Sequence, residues 1–425
     1  MKKRLLLTLS LLLALLMLGS CAMIPSSTLD TLFSGKSDST IVSGNPLTIP
    51  SSDNGDTVTI PKAEYEKYRK FAVLFDIFDD ANLHFYQDFD EDKVVEYAVR
   101  GMMAGLGDPY SYYYNPEEYA ELWEDDEGNY TGIGVLISSN METQICTISR
   151  VFAGSPAEEV GVHRGDILYR VGDDLMVTAS NLQEAVDIMR GVPGTDVKVT
   201  FLRDGKEITF TITRREISVN RIESKMLDGD IGYIALYEFA GQCEKEFETA
   251  LNSLIAQGAK GIIIDLRDNP GGWVDQARYI ADLFMDKGEL CYLVYRNGVE
   301  RHDDYVTADG KVDTKIVILI NENTASSSEI LTGALRDCAG AKVVGVKSFG
   351  KGIIQGVYPV GDGAGYQMTI AQYYTPNGNA VHTIGITPDY EVPLPEGDNG
   401  MHDFADTEND IQLKKAVEVM KEEIK

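Results

Sequence analysis

From Ile217 to Pro395 the chain alternates between short apolar runs that are typical of β-strands and amphipathic stretches that are typical of helices. This alternation predicts a β-sheet whose strands are connected by crossover helices, and it limits the region to an α/β core. The strands are predicted at Ile231–Leu236, Lys260–Leu266, Lys315–Ile320 and Ala341–Val346, and the helices at Cys243–Gln257, Gly272–Phe284 and Ser326–Cys338.

The rest of the chain differs in composition from this core, and 425 residues are enough for two or three domains. Residues 22–62 are rich in Ser, Thr, Asp, Gly and Pro without a sustained period, which predicts a flexible tether. In 63–128, apolar residues at three- and four-residue spacing predict helices. The predicted segments are 1–21 (export signal), 22–62 (tether), 63–128 (helical region), 129–216 (strand-rich domain), 217–395 (core) and 396–425 (acidic tail ending in a helix).

The N-terminus has the form of an export signal. Met1–Arg4 supplies three positive charges, Leu5–Leu18 is almost purely apolar, and Gly19-Ser20-Cys21 follows. The apolar run is shorter than the roughly 20 residues of a membrane-spanning helix and fits a secretory signal peptide. A cysteine directly after small residues resembles a bacterial lipoprotein box, so we expect Cys21 to become the lipidated first residue of an exported, membrane-tethered chain. A plain signal peptide or an uncleaved anchor is the alternative.

Charge and cysteine content exclude several classes of partner. With 67 acidic and 38 basic residues, the net charge is −29, which argues against nucleic acid because phosphate binding needs clustered Lys and Arg. The cysteines after Cys21 have no metal-binding spacing, and no metal or other cofactor is expected. Their apolar neighbours predict buried, reduced thiols at Cys146, Cys243, Cys291 and Cys338.

One serine lies where a predicted strand meets a predicted helix. Ser326 would have backbone N–H groups and the positive end of the helix dipole beside its hydroxyl, and that environment can hold the oxyanion of an acyl-transfer reaction. The structural alternative is that Ser326 and Glu329 form a capping box. On these grounds alone, the neighbouring Ser327 and Ser328 remain competing nucleophiles.

A lysine follows 25 positions after Ser326, in a Gly-Lys-Gly turn. Lys351 can act as a base only in its neutral form, which burial favours, and its neighbours from Phe349 to Ile354 are uncharged. If this segment is a strand, Gln355 shares a face with Lys351 and can hold its amine through a hydrogen bond. The serine and the lysine together predict a serine hydrolase with a lysine base, whereas a plain surface lysine is the alternative.

A third segment joins a predicted strand to a predicted helix and reads D-L-R-D-N-P-G-G from Asp265. We expect the backbone N–H of Gly271 or Gly272, together with that of Ser327, to form a two-donor oxyanion hole. Removal of one such donor typically costs about 100- to 1,000-fold in rate.

In residues 129–216 a glycine-rich loop opens the first strand, and Asp204-Gly205 marks a hairpin. This block resembles a PDZ domain in the arrangement found in bacterial proteases. The glycines let successive N–H groups converge on a peptide carboxylate, and the bound peptide then extends the adjacent sheet edge. An ordinary glycine-rich turn is the alternative. The residues expected to bind the carboxylate are Gly132, Ile133, Gly134 and Val135.

Six motifs in a fixed order show a resemblance that covers roughly residues 65–392. They read R-G-M-M-A-G-L-G-D-P-Y-S-Y-Y, Y-T-G-I-G-V, D-L-R-D-N-P-G-G, N-E-N-T-A-S-S-S-E-I, F-G-K-G-I-I-Q and Y-Y-T-P-N-G, beginning at Arg100, Tyr130, Asp265, Asn321, Phe349 and Tyr373. This pattern is similar to the carboxyl-terminal processing peptidases, the tail-specific serine proteases of bacteria and chloroplasts.

The resemblance implies a multidomain α+β fold with a helical N-terminal region, a β-rich PDZ domain and an α/β peptidase core of the crotonase and Clp-protease type. It implies the nucleophile at Ser326, the base at Lys351 and a supporting glutamine at Gln355. It also implies substrates with accessible C-termini, a PDZ domain that gates the active site, and an N-terminal region that can form a homodimer. Three residues depart from the family pattern, where alanine, asparagine and threonine are common: Ser327, Asp268 and Ile353.

Three other functions fit these residues less well. The segment 345–351 matches the G-x-x-x-x-G-K of a nucleotide-binding loop, but Gly352 takes the place of the Mg²⁺-binding hydroxyl residue, and a strand follows instead of a helix. Histidine-dependent hydrolysis lacks a motif that ties a histidine to Ser326. A catalytically silent PDZ adaptor is the third alternative, and the intact set of serine, lysine and glutamine argues against it.

Overall fold

The computed structural model describes residues 23–24, 47–50, 57–141, 143–308, 310, 312–395, 404 and 408–425. The predicted export signal, Cys21 and most of the predicted tether lie outside the described residues. The described chain divides into two compact units, of which the smaller contains the residues within 31–101 and the larger contains the rest. Among the described residues, no helix is both long and apolar enough to cross a membrane.

The smaller unit begins with strands inside the predicted tether. After β1 (Met23–Ile24), which belongs to the larger unit, β2 (Leu47–Pro50) and β3 (Thr57–Ile60) pair antiparallel. β-branched residues dominate β3, and they favour a strand. The helix α1 (Lys62–His84) follows and buries none of its residues, and α2 (Glu91–Ala104) comes next.

The domain around residues 129–218 is a twisted antiparallel sheet in the order β11-β10-β8-β7-β6, with β9 on β8. The first and last strands of the domain in sequence, β5 and β12, pair antiparallel with each other. In the main sheet, β6 is an edge strand that pairs only with β7 among the described residues. The elements from here are β4 (Tyr112–Tyr114), α3 (Pro116–Glu127), β5 (Asn129–Gly132), β6 (Val135–Asn140), β7 (Ile145–Val151), α4 (Pro156–Val160), β8 (Ile167–Val171), β9 (Leu175–Met176), α5 (Leu182–Met189), β10 (Asp196–Arg203), β11 (Lys206–Thr213) and β12 (Arg215–Ser218).

The core domain contains the predicted sheet with crossover helices. Its first sheet has the order β13-β14-β15-β18-β19-β22, and every neighbouring pair from β14 onward is parallel. The second sheet has the order β1-β20-β21-β16-β17, with β4 on β21. The elements are β13 (Ile222–Leu227), β14 (Ile231–Leu236), α6 (Cys243–Ala256), β15 (Gly261–Asp265), α7 (Val274–Asp282), β16 (Glu289–Tyr295), β17 (Val299–Val306), β18 (Lys315–Ile320), α8 (Ser327–Ala339), β19 (Lys342–Gly345), β20 (Ile353–Pro359), β21 (Gly365–Tyr374), β22 (Tyr390–Glu391) and α9 (Ile411–Glu423).

The C-terminal helix packs onto the core domain. One face of α9, which includes Leu413 and Met420, packs against the first sheet. Asp410 caps this helix by accepting from the Leu413 N–H at 2.9 Å. It also accepts from the Arg267 guanidinium at 2.6 Å, and Arg267 donates equally closely to Asp265. This buried network fixes the chain where it leaves β15.

The cysteines follow the prediction with one exception. Cys146, Cys243 and Cys291 are buried and unpaired, whereas Cys338 is unpaired but exposed. The prediction for Cys338 was wrong because the residue lies in the last turn of α8, where the helix leaves the core.

Candidate active site

The candidate site lies at the carboxyl ends of β15 and β18, which are parallel neighbours. Loops at this edge of a parallel sheet commonly bind ligands. The two loops are joined directly, since Thr324 Oγ1 donates to Leu266 O at 2.7 Å and Ala325 N donates to Asn269 O at 3.1 Å. The structure therefore brings the predicted glycine pair next to Ser326.

Ser326 is the N-cap residue of α8 and has no exposed surface. Its φ of +57° lies in the left-handed region, which costs a non-glycine residue free energy and is common at active sites. A Cβ atom on Gly271 would lie 2.8 Å from the Ser326 Cβ, so glycine is required there. The hydroxyls of Ser327 and Ser328 donate to Gly272 O at 2.7 Å and Asn269 O at 3.0 Å. These two competitors thus hold the glycine loop, which favours Ser326 as the nucleophile.

The sequence predicts Glu329 only as part of a helix cap. In the structure, its buried carboxylate connects both predicted catalytic residues. Oε2 accepts from the backbone N–H of Ser326 at 2.9 Å and of Lys351 at 2.8 Å. Oε1 accepts from the Ser348 hydroxyl at 2.5 Å and the Gly350 N–H at 2.7 Å. Burial raises the pKa of Glu329, and these hydrogen bonds oppose the rise.

Lys351 lies in the loop before β20, and only 5% of its surface is exposed. Two glycines let this loop pack closely against the segment 381–385. Gly350 has a φ of +91°, and a Cβ atom on it would lie 2.8 Å from Gly385 N; one on Gly352 would collide with His382 N. The loop therefore holds the lysine inside the domain, as the base hypothesis requires.

Gln355 is fully buried on β20, directly after an irregularity in the pairing with β21. Its Nε2 donates to Thr369 Oγ1 at 3.0 Å. Its Oε1 is buried and has no hydrogen-bond partner among the described residues. The expected hydrogen bond from the Lys351 amine to this oxygen is therefore not formed in this structure.

The predicted oxyanion donors differ in their surroundings. The Gly271 N–H donates to Asn269 Oδ1 at 2.9 Å, so it could reach an oxyanion only by giving up this bond. Gly272 has a φ of +135°, and a Cβ atom on it would collide with Phe239 O. Gly272 and Ser327 are thus the better pair of candidate donors.

The predicted carboxylate-binding loop joins β5 to the edge strand β6. Ile133 is buried, and Gly134 has a φ of +83° with no room for a side chain against Ser155. The open edge of β6 follows at Val135, where a peptide strand can be added. The structure thus places the glycine loop beside a strand edge that has no partner among the described residues.

An ion pair connects this β-sheet domain to the glycine loop. Arg164, in the turn before β8, donates to Asp268 Oδ2 at 3.1 Å. The other oxygen of Asp268 accepts from the side-chain amides of Asn321 and Asn323 at 2.8 Å each. Asp268 therefore contacts both the β-sheet domain and the loop that leads to Ser326.

Comparisons with known proteins agree with this geometry. Three family models match: the N-terminal domain of the activating protease CtpB at residues 45–118, a PDZ domain at 132–213, and peptidase family S41 at 230–392. The carboxyl-terminal-processing protease of Synechocystis is 37% identical over 333 residues, which are 76% of each chain. The chain belongs to the carboxyl-terminal processing peptidases.

Other relatives extend this result. The carboxy-terminal processing protease CtpA of Bacillus subtilis is 35% identical over 77% of this chain and 70% of that protein. The photosystem II D1 C-terminal processing protease has a similar structure, with a TM-score of 0.53, 28% identity, and coverage of 75% of this chain and 86% of that one. The predicted fold class and the prediction of a serine-type peptidase with a PDZ domain are thereby confirmed.

We expect Glu329→Gln to impair the peptidase, because the new amide would face backbone N–H groups with its own N–H₂. Unfolding in urea should show a loss of about 1–3 kcal/mol, and kcat should fall roughly 100-fold because the catalytic loops shift. Glu322→Gln makes the same chemical change at an exposed position of the neighbouring loop and serves as the control. A Glu329→Gln enzyme with parental kcat and stability would contradict this positioning role.

Proposed function

We propose that the chain is an exported endopeptidase that binds the C-terminal tails of protein substrates and cleaves them with Ser326 and Lys351. The observation that supports this most is the Glu329 carboxylate, whose Oε2 accepts from the backbones of both residues within 2.9 Å. One buried group thereby holds the nucleophile loop and the base loop together.

In the proposed mechanism, neutral Lys351 takes the proton of Ser326 as Oγ bonds to the scissile carbonyl carbon. The N–H groups of Gly272 and Ser327 stabilise the oxyanion. Lys351 then gives the proton to the leaving amine as the C–N bond breaks, and water hydrolyses the acyl-enzyme. We further propose that Gln355 orients the amine during the reaction, since its buried Oε1 has no hydrogen-bond partner among the described residues and can accept from Nζ.

Ser326→Ala and Lys351→Ala should each lower the cleavage of an unfolded protein with an apolar C-terminus by at least roughly 1,000-fold, because the two residues act as a unit. The parent should keep its activity in EDTA. Lys347→Ala, at an exposed lysine of the same loop region, is the matched control. Parental activity in Lys351→Ala, or loss of parental activity in EDTA, would exclude the Ser-Lys mechanism.

Tail recognition by the PDZ domain depends on a free carboxylate at the loop from Gly132 to Val135. Amidation of the substrate C-terminus should therefore raise KM roughly 10-fold or more, as expected when a charged hydrogen-bond partner is lost. In Gly134→Val, whose side chain would collide with Ser155, free and amidated substrates should be cleaved alike. Equal KM values for both substrates with the parent enzyme would rule out carboxylate recognition.

The N-terminal helical region supports pairing with a second copy of the chain. Tyr68, Phe71 and Phe75 recur at the helical spacing that the sequence predicts, and they are 53%, 42% and 59% exposed. Phe75→Glu should shift a concentration-dependent dimer to monomer in sedimentation, because it puts a charge into an apolar contact. Glu66→Lys, on the opposite side of α1, should leave the dimer intact. A monomeric parent at all concentrations would refute pairing.

Export and lipid attachment at Cys21 belong to the same proposal. With a lipidated Cys21, the parent should fractionate with membranes and Cys21→Ser should not, since lipid chains would supply the attachment. Membrane retention of Cys21→Ser would favour the uncleaved anchor.

A further inference from the structure

The turn 107–111 reaches the proposed base from a distant part of the chain. The centroid of the Tyr110 ring lies 4.5 Å from Lys351 Nζ. A lysine ammonium within about 6 Å of an aromatic face is attracted by the electron density of the ring, most strongly where water is excluded. Lys351 is 95% shielded from solvent, so this contact lies in the environment where it is strongest.

Hydrogen bonds hold the chain at Tyr110 and at the residue that follows it. Gln367 Nε2 donates to its backbone oxygen at 3.0 Å. In the next residue, Ser111 Oγ accepts from Thr369 N at 2.9 Å and donates to Asp108 Oδ2 at 2.5 Å. Beyond the turn, β4 continues along β21. The backbone at Tyr110 is therefore held against β21, and this limits where its ring can lie.

The same strand also supports Gln355, since Thr369 Oγ1 accepts from Gln355 Nε2. Gln355 Oε1, the acceptor expected for the lysine amine, has no partner among the described residues. In this structure the Tyr110 ring thus contacts Nζ, whereas the Gln355 oxygen does not.

We propose that Tyr110 is a positioning residue that stabilises Lys351 in its protonated form during acylation. The inference rests on the proposed Ser-Lys mechanism. In that step, the O–H bond of Ser326 breaks, its proton moves to the lone pair of Nζ, and Oγ bonds to the carbonyl carbon. Nζ becomes positive, so the ring attracts it more strongly in the transition state than before reaction. Such an interaction raises kcat and leaves KM unchanged.

The first test compares Tyr110→Phe with Tyr110→Leu in the full-length enzyme. Phe keeps the aromatic face, and its kcat should stay within about 2-fold of the parent. Leu keeps an apolar side chain without the face, and its kcat should fall roughly 3- to 30-fold at constant KM, the range of a cation–π contact. The proposal is wrong if the two variants have the same kcat, whether both keep the parental value or both lose the same factor.

A second test avoids any effect on folding. Phenylalanines with one, two and three fluorine atoms at position 110 keep the ring shape but withdraw electron density from its face. The logarithm of kcat should decrease stepwise along this series, and the same series at the 82% exposed Tyr86 should leave kcat constant. If kcat stays constant along the series at position 110, only the role of Tyr110 is refuted. Activity in Lys351→Ala would instead refute the Ser-Lys mechanism itself.

Discussion

The arrangement of the active site depends on one buried carboxylate. An ionised glutamate without surface exposure is costly unless hydrogen bonds replace water, and Glu329 obtains four of them. Three of the donors are backbone N–H groups, so the carboxylate fixes the path of the chain at Ser326 and at Lys351. The glycines on either side of Lys351 allow its loop to follow this path, since side chains at Gly350 or Gly352 would prevent the close approach of the segment 381–385.

The helix-cap interpretation of Ser326 and the catalytic one describe the same geometry. Glu329 accepts from the Ser326 N–H as the third residue of a capped helix would. The same bond holds Ser326 at a positive φ, a conformation that persists only where its surroundings supply compensating contacts. Tyr373 adds such a contact by donating its hydroxyl to Ser326 O at 3.1 Å. The start of the helix and the constrained backbone of the candidate nucleophile therefore depend on the same bonds.

Local patterning predicted the crossover sheet and the strand-to-helix junction at Ser326, because these features depend on neighbours along the chain. The PDZ domain was predicted from a resemblance, and the catalytic roles of Ser326 and Lys351 stay predictions. Local patterning did not predict Tyr110, whose contact with Lys351 arises from the pairing of β4 with β21 across the fold. Gln355 shares a face with Lys351 only in a continuous strand, but β20 begins at Ile353 and its pairing is irregular before Gln355. Two-residue periodicity fails when a strand starts late or contains a bulge.

The ion pair between Arg164 and Asp268 makes only a small contribution to the contact between the PDZ domain and the loop that leads to Ser326. Their side chains are 25% and 41% exposed, and such surface pairs contribute about 0–1 kcal/mol and weaken with salt. A contribution of that size changes the ratio of two conformations by about fivefold at most. An asparagine at position 268 would still accept from Asn321 and Asn323 but would lose the charge that attracts Arg164. This ion pair alone is therefore too weak to switch the loop that leads to Ser326 from one conformation to another.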